Sequence, residues 1–213
     1  MAENIIPDPT RGKTRLFWEA TYEWTTKFLN EHPELKVGAE IGVAGGQHIK
    51  ALMENTNVEK IYGIDPYITE TWDMHGFFDV NSDYGGFDGL YNEVSNMLSV
   101  YGNRVELVRK KSTEAAVDFE DGCLDFVFID AFHDYENCYN DINYWHNRVR
   151  KGGYVMGHDW DHSSFPGVQR AVIEHYGDSV TGIPGPVHVW YVDRKSTRLN
   201  SSHIPLSRMP SSA

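Results

Sequence analysis

A glycine turn between two apolar runs constrains this chain most. Val37 to Tyr67 reads VGAEIGVAGGQHIKALMENTNVEKIYGIDPY. The first apolar run ends on Gly42, Gly45 and Gly46. A helical segment follows, and then a second apolar run closes on Asp65, 23 residues after Gly42. A strand, a tight turn, a helix and a second strand form the unit that binds nucleotide-like ligands. Glycines allow close backbone approach, and an acid one strand over accepts hydrogen bonds from ribose hydroxyls.

The rest of the chain repeats this alternation. Thr14 to Asn30 carries Leu16, Phe17, Ala20, Trp24 and Phe28 at helical spacing. Residues 1–34 thus read as a helical lead-in. Strands are expected at Val37 to Val43, Lys60 to Ile64, Val105 to Val108, Leu124 to Ile129, Tyr154 to Gly157 and Val187 to Val192. Helices are expected at Gln47 to Asn55, Leu90 to Tyr101, Ser112 to Val117, Tyr135 to Val149 and Val168 to Tyr176. LDFVFI at 124–129 is apolar but for Asp125, as suits a central strand buried on both faces. The pattern predicts one α/β domain over residues 1–194, with a mostly parallel, doubly wound sheet.

Charge and cysteine content narrow the partners. The 213 residues carry a formal charge of −12. Phosphate backbones need a basic face, so no nucleic-acid partner is expected. No apolar run approaches a membrane span, and MAENIIPDPT lacks the basic and apolar regions of a leader. Cys123 and Cys138 have neither metal-ligand spacing nor a disulfide framework. A reduced, cytoplasmic setting is the expectation. Lys195 to Ala213 holds six serines, three basic residues and no acid. It has no helix or strand period and resembles a non-native read-through, so it is set apart from the fold. The oligomeric state is not legible, and a homo-oligomer stays open.

Chemistry gathers at the strand ends. These carry Gly42 to Gly46, then Asp65, then Lys111-Ser112-Thr113-Glu114, then Asp130, then His158-Asp159. Open α/β sheets bind ligands there. Glu40, Gly42, Gly46 and Leu52 fit ExGxxxGxxxxxL, and GxGxxG is absent. The motif resembles that of class I S-adenosylmethionine-dependent methyltransferases. The resemblance implies a Rossmann-like, seven-stranded sheet. It also places the cofactor on Glu40, Gly42, Gly45, Gly46, Asp65, Ser112, Glu114 and Asp130, with Asp65 on the ribose and Ser112 and Glu114 by the adenine.

FIDAFHDYENCYN at 128–140 and KGGYVMGHDW at 151–160 sharpen the resemblance. They are similar to a small methyltransferase family with FIDxxHxYE and GGxxxGHDW patterns, which is akin to metal-dependent sugar O-methyltransferases. That similarity implies a small-molecule or glycan acceptor, Asp130 as a site acid and His133 as general base, supported by Asp130 or Asp134. It also implies a divalent cation, Mg²⁺ or Mn²⁺, on Asp130, His158 and Asp159. The family pattern has an acidic pair after strand five, whereas this chain has His158-Asp159. One imidazole and two carboxylates suit Mn²⁺, Fe²⁺ or Zn²⁺ better than Mg²⁺.

Residues 66–89 are rich in aromatics, glycine and aspartate and read as a lid-like loop. Tyr67, Trp72, Phe77, Phe78 and Tyr84 are its candidates to stack on an acceptor ring. Two other readings compete: a nicotinamide-dependent oxidoreductase or epimerase, and a cofactor-binding protein without catalysis.

Overall fold

The computed structural model describes residues 15–69 and 80–194. Seven strands form one sheet: β1 (Val37–Ile41), β2 (Lys60–Ile64), β3 (Val105–Val108), β4 (Leu124–Ile129), β5 (Val149–Gly157), β6 (Thr181–Ile183) and β7 (Val189–Asp193). Their order is β3-β2-β1-β4-β5-β7-β6. The first five strands in this order pair in parallel, while β7 runs antiparallel to both β5 and β6. The sheet is therefore mostly parallel, with an antiparallel hairpin at one edge.

Helices cover both faces: α1 (Arg15–Glu31), α2 (Gln47–Asn55), α3 (Val80–Tyr84), α4 (Phe87–Leu98), α5 (Ser112–Ala116), α6 (Tyr135–His146) and α7 (Pro166–Tyr176). The apolar run in β4 shows why both faces need cover. Phe126 and Phe128 enter one core with Phe28, Ile49, Leu52 and Leu90. Val127 and Ile129 enter the other with Trp145, Ala171, Val172 and Trp190. Side chains alternate across a strand, so the four consecutive apolar residues from Phe126 to Ile129 feed two cores.

Several boundaries differ from the sequence expectation. Helix α6 ends at His146 and β5 begins at Val149, which pairs with Leu124. The polar Arg150 to Gly153 segment therefore belongs to a strand, not to a helix end and turn. His188 has φ 48°, outside strand space, so β7 starts at Val189. Strand β6 and helix α3 are additions to the expected elements. Within the supposed lid, Tyr67 is 1% exposed and packs in the core, and Tyr84 packs against it. Trp72, Phe77 and Phe78 lie outside the described residues, as does the 195–213 tail.

Candidate active site

One row of backbone hydrogen bonds builds the site. Each residue just past a parallel strand donates its N–H to the last carbonyl of the neighbouring strand. Asp65 donates to Val108 (3.3 Å), Gly42 to Ile64 (2.9 Å), Asp130 to Ile41 (2.8 Å) and His158 to Ile129 (3.1 Å). The ladder thus runs one residue beyond the strands and sets these four residues side by side. The strand order reverses between β1 and β4. That is the switch point at which open α/β sheets hold ligands.

The glycines have separable roles. Gly42 has φ 89°, and a Cβ there would lie 2.0 Å from the Asp130 carbonyl oxygen. Its bareness lets the ends of β1 and β4 meet, so the close approach is between strands. Gly46 has φ 76°, caps α2, and would press a Cβ onto Val94 and Met97. A Cβ on Gly45 would press most closely on the Gln47 side chain, a flexible neighbour. Ala44, Tyr67 and Asp159 also take positive φ, at three different strand ends. Non-glycine residues rarely adopt that conformation, and it concentrates at functional sites.

Two acids are buried beside the glycine turn. Asp65 is 8% exposed. Its Oδ2 accepts from the N–H groups of Val43 and Ala44, each at 3.0 Å, and its Oδ1 accepts from Tyr67 N–H at 2.8 Å. Burial raises its pKa above the ordinary carboxylate value despite these donors. Glu40 is 4% exposed, and burial raises its pKa too, against the pull of His48. His48 Nδ1 stands 3.2 Å from Glu40 Oε2, within ion-pair reach but without hydrogen-bond alignment.

Ser112 opens α5, and its hydroxyl accepts from Trp145 Nε1–H at 2.8 Å. It also hydrogen-bonds the buried Asp141. Its hydroxyl is therefore engaged with α6. Glu114 sits in the first turn of α5 and is exposed.

A second group of side chains joins the ends of β4 and β5. His133 Nε2 lies 3.0 Å from Asp159 Oδ2 and 3.6 Å from Asp130 Oδ1. His158 Nδ1 lies 3.3 Å from Asp159 Oδ2 and 3.5 Å from Asp130 Oδ1. Asp159 is 4% exposed, while about a third of the Asp130 side chain, 34%, meets solvent. Burial pushes both acids up, but the two imidazoles outweigh it and hold both below the usual carboxylate range. Burial pushes His158 down, yet the two carboxylates lift it to about 10. Thr21 fixes the far side of that ring. Its hydroxyl proton goes to the Val187 carbonyl (2.8 Å), so its oxygen accepts from His158 Nε2–H (3.1 Å). Phe165 stacks on His133 at 4.2 Å.

Asp134 does not support His133. It is the N-cap of α6, where its Oδ1 accepts from Glu136 and Asn137 N–H. Among the described residues, the donor atoms gathered tightly enough for a cation come from Asp130, His133 and Asp159. His158 sits beside this trio, and His133 takes the place the sequence reading gave it. Thr21 and Phe165 escaped the sequence reading. Neither carries a motif, and Thr21 reaches the site from 137 residues away.

Dinucleotide-binding sheets have six parallel strands in the order 3-2-1-4-5-6. The reversed β7 sets this sheet apart, and the fold is that of class I S-adenosylmethionine-dependent methyltransferases. The family model described as "Methyltransferase domain" matches residues 37–160, and the chain belongs to that family. The uncharacterized protein R132 of Acanthamoeba polyphaga mimivirus is 26% identical over 152 residues, covering 69% of this chain and 62% of that protein. The chain thus spans under two thirds of this relative's length.

Solved structures share the fold. A putative S-adenosyl-L-methionine-dependent methyltransferase from Methanococcus maripaludis superposes with a TM-score of 0.60 at 11% identity, covering 87% of this chain and 90% of that one. CalS11, a TDP-rhamnose 3′-O-methyltransferase of calicheamicin biosynthesis, gives 0.58 at 20% identity, covering 89% and 87%. A putative caffeoyl-CoA O-methyltransferase from Staphylococcus aureus gives 0.57 at 13%, covering 84% and 90%.

Proposed function

We propose that this protein transfers a methyl group from S-adenosylmethionine to a hydroxyl of a small molecule or sugar. The observation that carries the reading is the His133–Asp159 pair, set beside the glycine turn by the β1, β4 and β5 ends. The methyl donor carries an ammonium and a sulfonium. A crevice with Glu40, Asp65 and Asp130 at its base suits such a cation. In this reading the glycine turn seats the amino-acid end, Asp65 meets the ribose, and the first turn of α5, with Ser112 and Glu114, borders the adenine.

The transfer is an in-line displacement. An acceptor oxygen lone pair forms the new O–C bond while the C–S bond breaks, and its electron pair stays on sulfur. Positioning supplies much of the acceleration. The acceptor hydroxyl also loses a proton, and His133 takes it. Asp159 accepts from His133 Nε2–H, which leaves Nδ1 as the basic nitrogen. Imidazole is the side chain that exchanges protons close to neutral pH.

The Asp130, His133 and Asp159 donors favour a second arrangement, in which a divalent cation sits among them. Such a cation would supply Lewis acidity to the acceptor oxygen. One nitrogen and two carboxylates suit Mn²⁺ better than Mg²⁺. The CalS11 and caffeoyl-CoA relatives are O-methyltransferases by name, which supports a hydroxyl acceptor.

The test follows formation of S-adenosylhomocysteine with panels of sugar, phenol and amine acceptors. Each panel is run after chelator dialysis and again with Mn²⁺ or Mg²⁺ added. Turnover on hydroxyl acceptors supports the reading, and turnover on amines alone overturns it. Full activity after dialysis assigns proton removal to His133, and activity restored only by metal assigns it to the cation.

A further inference from the structure

Two threonines one helical turn apart on α1 reach into the two halves of the site. Thr21 meets His158 at the reacting half. Thr25, 1% exposed, meets His48 at the cofactor half. Thr25 Oγ1 lies within hydrogen-bond reach of two backbone carbonyls of α1, those of Thr21 (2.9 Å) and Tyr22 (3.2 Å). It also stands 2.8 Å from His48 Nε2, its shortest polar contact. That contact holds Nε2 against α1 and turns Nδ1 toward Glu40.

The ring has little freedom to turn away. His48 is 5% exposed. Tyr22 stacks on it at 5.0 Å with 16° between planes, and Phe128 crosses it at 4.6 Å. Nδ1 and Glu40 Oε2 are 3.2 Å apart. A ring proton on Nδ1 would face that oxygen. Glu40 Oε2 is buried without an aligned hydrogen bond. Such a carboxylate is costly without a charged partner.

We propose that His48 and Thr25 are positioning residues for the cofactor. Thr25 holds His48, and His48 holds the Glu40 carboxylate toward the ammonium of the methyl donor. The proposal rests on the reading that the glycine turn seats that amino-acid end. No motif marks the relay, because α1 lies outside the strand–turn–helix unit and its contact with α2 is tertiary.

The test measures S-adenosylhomocysteine affinity by calorimetry on the full chain, with thermal unfolding as a fold check. Thr25→Val should weaken binding roughly tenfold, and Thr25→Ser, which keeps the hydroxyl, should stay within about twofold of wild type. His48→Asn keeps an amide donor near the Nδ1 position but loses the reach to Thr25. In that background Thr25→Val should add no further loss, because the two act through one path. 5′-Methylthioadenosine lacks the ammonium, so its affinity should be the same in wild type and Thr25→Val.

Unchanged S-adenosylhomocysteine affinity in Thr25→Val overturns the relay. So does an equal loss for methylthioadenosine, which would mark a general distortion. Full additivity with His48→Asn overturns it as well. A wild type that binds neither nucleoside overturns the methyl-donor reading itself and the relay with it.

Discussion

His133 Nε2 and Asp159 Oδ2 meet at 3.0 Å across the ends of two adjacent parallel strands. The pair sets both the tautomer and the direction of the imidazole, because Phe165 stacks on the ring at the same time. His133→Ala should lower methyl transfer by about 10²–10⁴-fold, the range of a lost general base. S-adenosylhomocysteine affinity should stay within about threefold, since the ring lies outside the cofactor half. Asp159→Asn keeps the size of the acid but supplies a donor where His133 needs an acceptor, and should cost transfer nearly as much. Turnover and calorimetry on the same preparations check this. Wild-type turnover in His133→Ala would remove the base assignment.

If the proposed cofactor seat is right, Glu40 and Asp65 should give cofactor affinity a pH dependence. Burial raises both pKa values, so protons stay on these acids to higher pH than on exposed carboxylates. A cationic ligand favours their ionised forms. Affinity should therefore fall as pH drops through their raised pKa values, above the ordinary carboxylate range, and level off at higher pH. Binding near that window should also release protons, visible as a buffer-dependent binding enthalpy. Asp65→Ala should weaken binding about tenfold and flatten the profile, because Val43 and Ala44 lose their acceptor as well. Affinity that is flat with pH in the wild type would remove the link between these acids and the ligand.

Most of the architecture was legible because it rests on local periodicity. LDFVFI predicts a doubly buried strand, and β4 is one. The strand ends carry their polar residues in sequence order, and the ladder aligns them in space. What stayed hidden depends on distant pairing. Strand β6 has three residues and half-exposed positions, and it exists only through β7. Arg150 to Gly153 looks like a turn, yet it continues a strand because Gly152 N–H and Gly153 C=O pair with Arg194.

The site divides the same way. Asp130, His133, His158 and Asp159 follow from strand ends, and the structure brings them together. Thr21, Thr25 and His48 do not, since a threonine at helical spacing announces no partner. Several motif residues serve the scaffold instead. Tyr135 donates to Glu174 on α7. A Cβ on Gly153 would lie 2.2 Å from the Asp125 carbonyl oxygen.

Gly42→Ala should be strongly destabilising. A Cβ would meet the Asp130 carbonyl oxygen at 2.0 Å and Ala131 Cα at 2.7 Å, and φ is 89°. Both neighbours are backbone, so relief requires parting β1 from β4. A cost of about 3 kcal/mol or more is expected, combining the strained conformation and the overpacking. The same movement would displace Asp130. Gly45→Ala presses mainly on the flexible Gln47 side chain and should cost under about 1 kcal/mol. Urea unfolding of the two variants gives the comparison. Equal stabilities would show that the contact between the strand ends is not what requires Gly42.

Asp141 provides a pH test that is separate from the reacting centre. It is 5% exposed on α6, and burial lifts its pKa to about 7, reinforced by the charge of Asp134 and opposed by a hydrogen bond from Ser112. Its folded pKa lies above the unfolded one, so between about pH 4 and pH 7 the folded state binds more protons. Stability from this group is therefore greatest at low pH and is lost as pH rises through that window. Asp141→Asn cannot ionise and should lack this slope. Between pH 5 and pH 8 the wild type should lose about 2–3 kcal/mol more than the variant, from two units at 1.36 kcal/mol each. Urea midpoints of both proteins at the two pH values measure the difference. Parallel pH dependence would show that Asp141 is already ionised at pH 5, with Ser112 and Trp145 holding the charge.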